Sequence, residues 1–184
     1  EFIKRFKIEA QSAGNLSHQN IVSVYDVGNE NDTEYIVMEY VEGITLKQYL
    51  SAKGVLPEKE AVDFASQICS GLEYAHKKGI IHKDIKPENI IFINGKAKLA
   101  DFGTLSSDGS CGTAGFAIEN PVSDADRDCY ALAKTLYCAW SGKDVSEYPA
   151  LPIPCAPKEA RLIRKIYIKG CSDTPRKRFS SADA

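Results

Sequence analysis

The stretch His82-Lys83-Asp84-Ile85-Lys86-Pro87-Glu88-Asn89-Ile90-Ile91-Phe92-Ile93-Asn94-Gly95-Lys96-Ala97-Lys98-Leu99-Ala100-Asp101-Phe102-Gly103 decides how this chain is read. At its centre an Asn-Gly pair separates two apolar runs, the strongest short-range signal for a β-hairpin, because both turn positions need positive φ. A two-residue loop pairs Ile93 with Lys96 and fixes the register of every pair behind it. Carried outward, that register sets Asp101 opposite Glu88 and diagonal to Asn89, within several ångströms if the ladder runs that far.

The hairpin therefore gathers chemistry at its open end. Asn89 and Asp101 offer hard oxygens of the kind Mg²⁺ prefers when it also holds substrate phosphates. Asp84 and Lys86 precede them in a loop. A carboxylate that orients a hydroxyl, an ammonium near the transferred group and two oxygen donors for a metal are the parts that phosphoryl transfer needs. Alone, a His-x-Asp or an Asp-Phe-Gly is turn chemistry more often than catalysis. Here His82, Asp84, Lys86, Pro87, Asn89, Asp101, Phe102 and Gly103 occur together and in order, which coincidence does not explain.

Upstream, Phe2, Phe6, Ala10 and Ala13 recur at helical spacing until Gly14. Ile21 to Val27 and Tyr35 to Tyr40 read as two β-rich runs joined by the polar turn Gly28 to Asp32, a second hairpin. From Thr45 the pattern turns helical, with a short helix to Lys53 and a longer one from Pro57 to Lys78. In the longer helix Ala61, Phe64, Ala65, Ile68, Leu72 and Ala75 form the apolar stripe. Downstream, an apolar helix is predicted from Arg127 to Trp140 and another from Lys158 to Lys169, with a long loop from Asp101 to Asp126 before them.

Composition narrows the function classes. With 23 Lys+Arg against 25 Asp+Glu the net charge is −2, which gives no whole-chain attraction to polyanions, so no nucleic-acid partner is expected. The 43% hydrophobic content suits a core-forming soluble chain. No apolar run approaches a membrane span and no leader pattern opens the chain, so the expected location is cytoplasmic, without a membrane segment. Six scattered cysteines without a C-x-x-C pair fit reduced, buried thiols. Nothing in the sequence specifies an oligomeric state.

These motifs resemble the catalytic domain of eukaryotic-type (Hanks-type) serine/threonine protein kinases, the bacterial members in particular. The family's H-R-D-L-x-x-x-N loop stands here as His82 to Asn89, and its D-F-G as Asp101 to Gly103. The resemblance implies an α+β, two-lobed fold. Residues 1–41 would form an incomplete N-lobe, the family's αC helix plus strands, and the hinge. Residues 42–184 would form a mainly helical C-lobe, itself incomplete. Both ends look cut. The resemblance further implies that ATP and Mg²⁺ are the cofactors and that Ser/Thr hydroxyls of proteins are the acceptors.

Residue by residue, it makes Asp84 the catalytic base and puts Lys86 at the γ-phosphate. Asn89 and Asp101 become metal ligands, and Glu9 the partner of a strand lysine. Met38 becomes the gatekeeper, the backbone of Glu39 and Val41 the adenine edge, and Ile91 the apolar floor beneath it. Thr113 becomes the substrate-loop residue that contacts the catalytic pair. His82 becomes a packing element stacked with Phe102 and held by Asp128.

The chain also departs from the family pattern. The glycine-rich phosphate loop and its strand lysine have no counterpart before the first helix, so the chain as given is expected to bind ATP weakly and transfer phosphate slowly or not at all. Lys83 replaces the usual arginine before the catalytic Asp. Thr104, Ser106, Ser107, Ser110 and Thr113 are candidate phosphorylation acceptors in the following loop. Ungapped matching puts Asn120, not Glu119, where the family carries a glutamate that pairs with a late arginine, here Arg178. The sequence leaves open whether that pair survives. A degraded loop end and no nucleotide lid also suit a pseudokinase or docking scaffold without catalysis.

Overall fold

A computed structural model describes residues 13–31, 33–102, 112–150 and 161–182. The helix expected over residues 2–13 lies outside them except at its last residue, as do Glu9, Gly103, Thr104, Ser106, Ser107 and Ser110.

Strands β1 (Val24–Glu30) and β2 (Thr33–Met38) pair antiparallel in a sheet of their own. The hairpin is longer and its turn tighter than the apolar pattern suggested. Gly28 faces Tyr35, Asn29 faces Glu34 and Glu30 faces Thr33, so the polar stretch expected to be the turn is strand. Pairing needs only backbone groups, and here it is helped by an Asn29–Glu34 side-chain bond of 2.8 Å. The Tyr35 ring lies over Gly28, where a Cβ would come within 2.3 Å of its tip and displace it. Asn31, at φ 48°, supplies the left-handed turn residue. Ile21, expected in β1, instead forms a parallel bridge to Leu99 and is 1% exposed.

The second sheet has the order β3–β4–β5, built from β3 (Ile44–Thr45), β4 (Ile90–Ile93) and β5 (Lys96–Leu99). Its β4–β5 register is the one set by Asn94-Gly95, running from Ile90↔Leu99 to Ile93↔Lys96. Gly43 enters this sheet so closely that a Cβ would lie 2.3 Å from the Phe92 carbonyl oxygen. Thr45 then caps α1 (Leu46–Lys53) in a reciprocal capping box with Gln48.

Helix α2 (Glu58–Lys77) buries Ala61, Phe64, Ile68, Leu72 and Ala75 along one face. Helix α3 (Asp124–Ser141) starts a turn earlier than the apolar pattern indicated, because Ser123 accepts a bond from the Asp126 N–H and caps it. Almost every residue of α3 from Cys129 to Ala139 is buried, as expected of a helix apolar on all sides. Helix α4 (Arg161–Gly170) packs on α3 through Ile163 and Tyr167. The start of that helix, expected at Lys158, lies outside the described residues. Each fully buried large apolar side chain contributes about 1.5–3 kcal/mol, so the α2–α3 core is a rigid base for the loops above it. Cys69, Cys129, Cys138 and Cys171 form no disulfide among the described residues, and Cys111 and Cys155 lie outside them. Among the described residues no helix is long and apolar enough to cross a membrane.

Candidate active site

The hairpin ladder ends sooner than its register would allow. One further bond, Ala100 N–H to the Asn89 carbonyl at 2.8 Å, continues it, and then both strands turn away. Pro87–Asn89 forms a 3₁₀ turn, Glu88 reaches Lys47 at 2.7 Å, and Asp101 takes φ 61°. Asp101 therefore does not sit opposite Glu88. The left-handed backbone at a non-glycine residue costs about 1–3 kcal/mol and clusters at functional sites. Lys83 shows the same feature, at φ 73°.

Asp84 is the convergence point. Its Oδ1 accepts the Thr113 hydroxyl at 2.6 Å and the Thr113 N–H at 3.0 Å. Its Oδ2 lies 2.6 Å from Lys86 Nζ, which also donates to Thr113 Oγ1 at 2.8 Å. Asn89 Nδ2 donates to the Asp84 carbonyl at 2.8 Å and more loosely to Oδ2 at 3.3 Å. Burial, the largest single influence, pushes the Asp84 pKa up. The bonds from Lys86 and Thr113 together outweigh it and hold the carboxyl below its ordinary value, so it is ionised at neutral pH.

His82 is 1% exposed and its two ring nitrogens have different tasks. Nε2 lies 2.8 Å from the Ala100 carbonyl oxygen and must donate, whereas Nδ1 accepts the Asp84 N–H at 3.2 Å. Only the neutral ring meets both demands. Burial accordingly holds its pKa below the ordinary value, against the upward pull of Asp128 and the Ala100 carbonyl. The ring meets Phe102 at 4.6 Å between centroids, tilted by 56° rather than face to face.

Asp128 holds the loop through its backbone and not through the imidazole of His82. Its Oδ2 accepts the His82 N–H at 2.9 Å and its Oδ1 the Lys83 N–H at 2.8 Å. His76 Nε2 completes the set at 2.8 Å from Oδ2. The place of His76 in this network depends on two helices meeting, which no spacing rule reveals.

Met38 closes β2 and lines a small cavity with Ile21, Val24, Ile36, Asp101 and Phe102. The Glu39 N–H donates to the Ser23 carbonyl at 2.8 Å, while its carboxylate accepts the Ser23 N–H at 3.2 Å and both oxygens accept from Lys98 Nζ at 2.6 and 2.8 Å. Burial acts most strongly on Glu39 and pushes its pKa up, but the Lys98 and Ser23 bonds prevail and the carboxyl sits low. The segment at 39–41 is thus latched to β5, the strand that leads to Asp101. Val41 accepts a 2.8 Å bond from the Gly43 N–H. Ile91 lies in mid-β4, paired with both Thr45 and Lys98. Lys98 was not singled out from sequence; only the tertiary pairing brings it to Glu39.

Asn89 and Asp101 carry oxygen donors of the type that hard divalent cations take. Asn89 is buried and commits its NH₂ to Asp84, which leaves Oδ1 as its acceptor, and Asp101 supplies a carboxylate on an exposed residue. Among the described residues no cluster of three or more His, Cys, Asp or Glu side chains could hold a metal, so any such ion leans on substrate and water as well.

At the far end of the loop, Arg178 does find a carboxylate, but neither Glu119 nor Asn120 provides it. Its Nε donates to Asp126 Oδ1 and its Nη2 to Asp126 Oδ2, both at 2.9 Å, in a pair whose side chains are 4% and 3% exposed. Asn120 contributes only its backbone carbonyl, at 2.9 Å from Nη2. Both Glu119 and Asn120 are exposed.

The family model "Protein kinase domain" matches residues 2–147. The chain belongs to the protein kinase domain family. It is 56% identical over 108 residues to the serine/threonine-protein kinase PrkC of Bacillus subtilis, covering 58% of this chain and 17% of that protein. It is 34% identical over 217 residues to the probable serine/threonine-protein kinase SCO3848 of Streptomyces coelicolor, covering 99% of this chain and 32% of that protein. The chain thus spans well under half the length of these relatives. A solved structure of a point mutant of the Mycobacterium tuberculosis PknI kinase domain superposes with a TM-score of 0.78 at 31% identity, covering 98% of this chain and 74% of that one.

Proposed function

We propose that this domain transfers the γ-phosphoryl group of ATP to Ser or Thr hydroxyls of proteins. The observation that carries the reading is the convergence of Lys86, Asn89 and Thr113 on Asp84, a carboxylate held ionised and aimed by three neighbours. Serine/threonine-protein kinase is also the printed name of the relatives.

In this reading Asp84 orients the acceptor hydroxyl and takes its proton as that oxygen bonds to the γ-phosphorus and the bond from phosphorus to the bridging oxygen breaks, releasing ADP; its low pKa suits it more to orientation than to strong basicity. Lys86 bridges Asp84 and Thr113 and presents its ammonium where the transferred group gathers charge. Asn89 and Asp101 would hold Mg²⁺, which when bound neutralises charge on the phosphate oxygens. Met38 borders the nucleotide cavity, the backbone at Glu39 and Val41 takes the adenine edge, and Ile91 underlies it. Glu9 would pair with a lysine of the nucleotide cradle. His82, Phe102 and Asp128 set the loop without touching substrate. The separation of the β1–β2 sheet from the β3–β4–β5 sheet supports a lobe boundary near residues 41–42, with 1–41 in the smaller lobe and hinge.

Titration calorimetry of the full-length polypeptide with ATP and Mg²⁺ tests the reading. Asp101→Ala is expected to abolish the Mg²⁺-dependent part of binding, and Asp84→Asn to preserve binding while stopping phosphotransfer. Unaltered binding in Asp101→Ala, together with absent phosphotransfer in the unmodified protein, would favour a docking scaffold instead.

A further inference from the structure

The region from Thr113 to Val122 is pinned at both ends. At one end Thr113 is bonded to Asp84 and Lys86. At the other, Asp126 Oδ2 accepts the Val122 N–H at 2.8 Å, and Arg178 Nη2 donates to the Asn120 carbonyl at 2.9 Å. Between them Phe116 is buried against the core, and its N–H and that of Ala117 close back on the Thr113 carbonyl at 3.0 Å. Phe116 and the two bonds to the Thr113 carbonyl tie the middle of this otherwise largely exposed segment back to its Thr113 end.

The buried centre of the far anchor is Asp126–Arg178, bidentate and almost wholly desolvated, with Ser172 O accepting from Nη1 at 3.0 Å. It joins three segments distant in sequence: the loop end, the first turn of α3 and the turn after α4. We infer that Asp126 and Arg178 are the positioning pair that sets the substrate loop, with Asp126 serving as the carboxylate in place of any side chain of the loop itself. The loop end is gripped by its backbone, at the Asn120 carbonyl and the Val122 N–H, so the Glu119 and Asn120 side chains are free to face solvent. This rests on the kinase reading for its catalytic consequence, but not for its structural content.

The two parts separate in one experiment. Hydrogen exchange is followed on the chain, and phosphotransfer on the full-length polypeptide. Asp126→Asn is expected to speed exchange across residues 112–122 by about tenfold or more while the α2 amides keep their protection. Adding Asn120→Glu, which brings a carboxylate to the residue whose carbonyl already touches Arg178, should return most of that protection. In phosphotransfer the same pair of variants should first raise KM for the protein substrate with a smaller loss in kcat, then restore it. Unchanged exchange at 112–122 in a folded Asp126→Asn chain overturns the inference. If Asp126→Asn unfolds the whole chain, the double variant decides: refolding with Asn120→Glu supports the inference, and failure to refold overturns it. Asn120→Glu alone should add no protection, because Asp126 already occupies the guanidinium fork; added protection also overturns it. Absent phosphotransfer in every form, with the exchange pattern as expected, defeats the kinase reading and leaves the anchoring pair standing.

Discussion

Asp126 and Asp128 lie two residues apart on one helix, both buried, and hold two different loops by different means. Residues at that spacing point to opposite sides of a helix, about 200° apart. Asp128 faces the loop at His82 and Lys83 and is satisfied by two backbone N–H groups and the His76 ring. Asp126 faces the segment that ends at Val122 and is satisfied chiefly by the guanidinium of Arg178. The first arrangement spreads its charge over two backbone donors of the loop it anchors and one ring from a neighbouring helix. The second imports a counter-charge from a distant segment. A buried carboxylate held by backbone donors is tolerant of which side chains those residues carry; one held by a single buried cation fails as soon as that cation is lost.

The largest effect that can be asked of this contrast lies where the two loops meet. Asp84→Asn should lower kcat of the full-length polypeptide by about 10²–10⁴-fold with little change in thermal stability, since the amide still accepts from Thr113. A loss in kcat below tenfold would show that Asp84 does not handle the hydroxyl proton.

Next comes the imported cation. Arg178→Met should cost about 3–5 kcal/mol by leaving Asp126 buried and unpaired, whereas Asp126→Leu combined with Arg178→Met should recover most of that loss. Denaturant midpoints measure both, and equal midpoints for the single and double variants would contradict the account. Asp128→Ala strands donors that are otherwise paired, each worth about 1–3 kcal/mol when left unsatisfied. Its damage should appear in exchange at residues 82–84 and not at 112–122.

A pH dependence follows from His82. Its folded pKa lies below the ordinary 6.5 of the unfolded chain, so the unfolded state takes up the proton first. The stability that depends on a neutral ring is complete above about pH 6.5 and declines as pH falls below it. Asp84 has a depressed carboxyl pKa, so its contribution persists above the unfolded carboxylate range and is lost only at more acid pH, as the folded value is crossed. Melting temperatures of the unmodified chain and of His82→Phe, taken from pH 8 to pH 5, should diverge in slope below pH 6.5. Parallel slopes would show that His82 is not the titrating group.

The smallest effect is expected at the nucleotide edge. Lys98→Met removes the latch on Glu39 in a partly exposed pair, which should cost under about 1 kcal/mol of stability and show itself mainly as a severalfold rise in KM for ATP. An unaltered KM would mean that the segment at 39–41 holds its place without Lys98.

How much of this was legible in the sequence differs from one residue to the next. The Asn94-Gly95 turn dictated the β4–β5 register because a two-residue loop leaves one pairing and the turn demands positive φ. The apolar stripe of α2 follows from its spacing alone. Local pattern misled at β1–β2, where the strands continue through polar residues, since a ladder is made of backbone groups and the apolar pattern marks only which face is covered. Helix α3 was read short at its start because Asp124 and Asp126 look like loop residues until Ser123 is seen to cap them.

The sequence by itself determined the order of the chemical groups, the hairpin that brings Asn89 near Asp101, and the family to which the chain belongs. All of these are carried by residues close together along the chain, where geometry is constrained by a few dihedral angles. Only the tertiary structure decided the partners of the charges that packing wholly or partly covers: His76 on Asp128, Lys98 on Glu39 and Asp126 on Arg178. Those choices are made across 52, 59 and 52 residues of sequence. A buried charge must be paired somewhere, but which opposite charge reaches it depends on how helices and loops pack, and the packing is a property of the whole core.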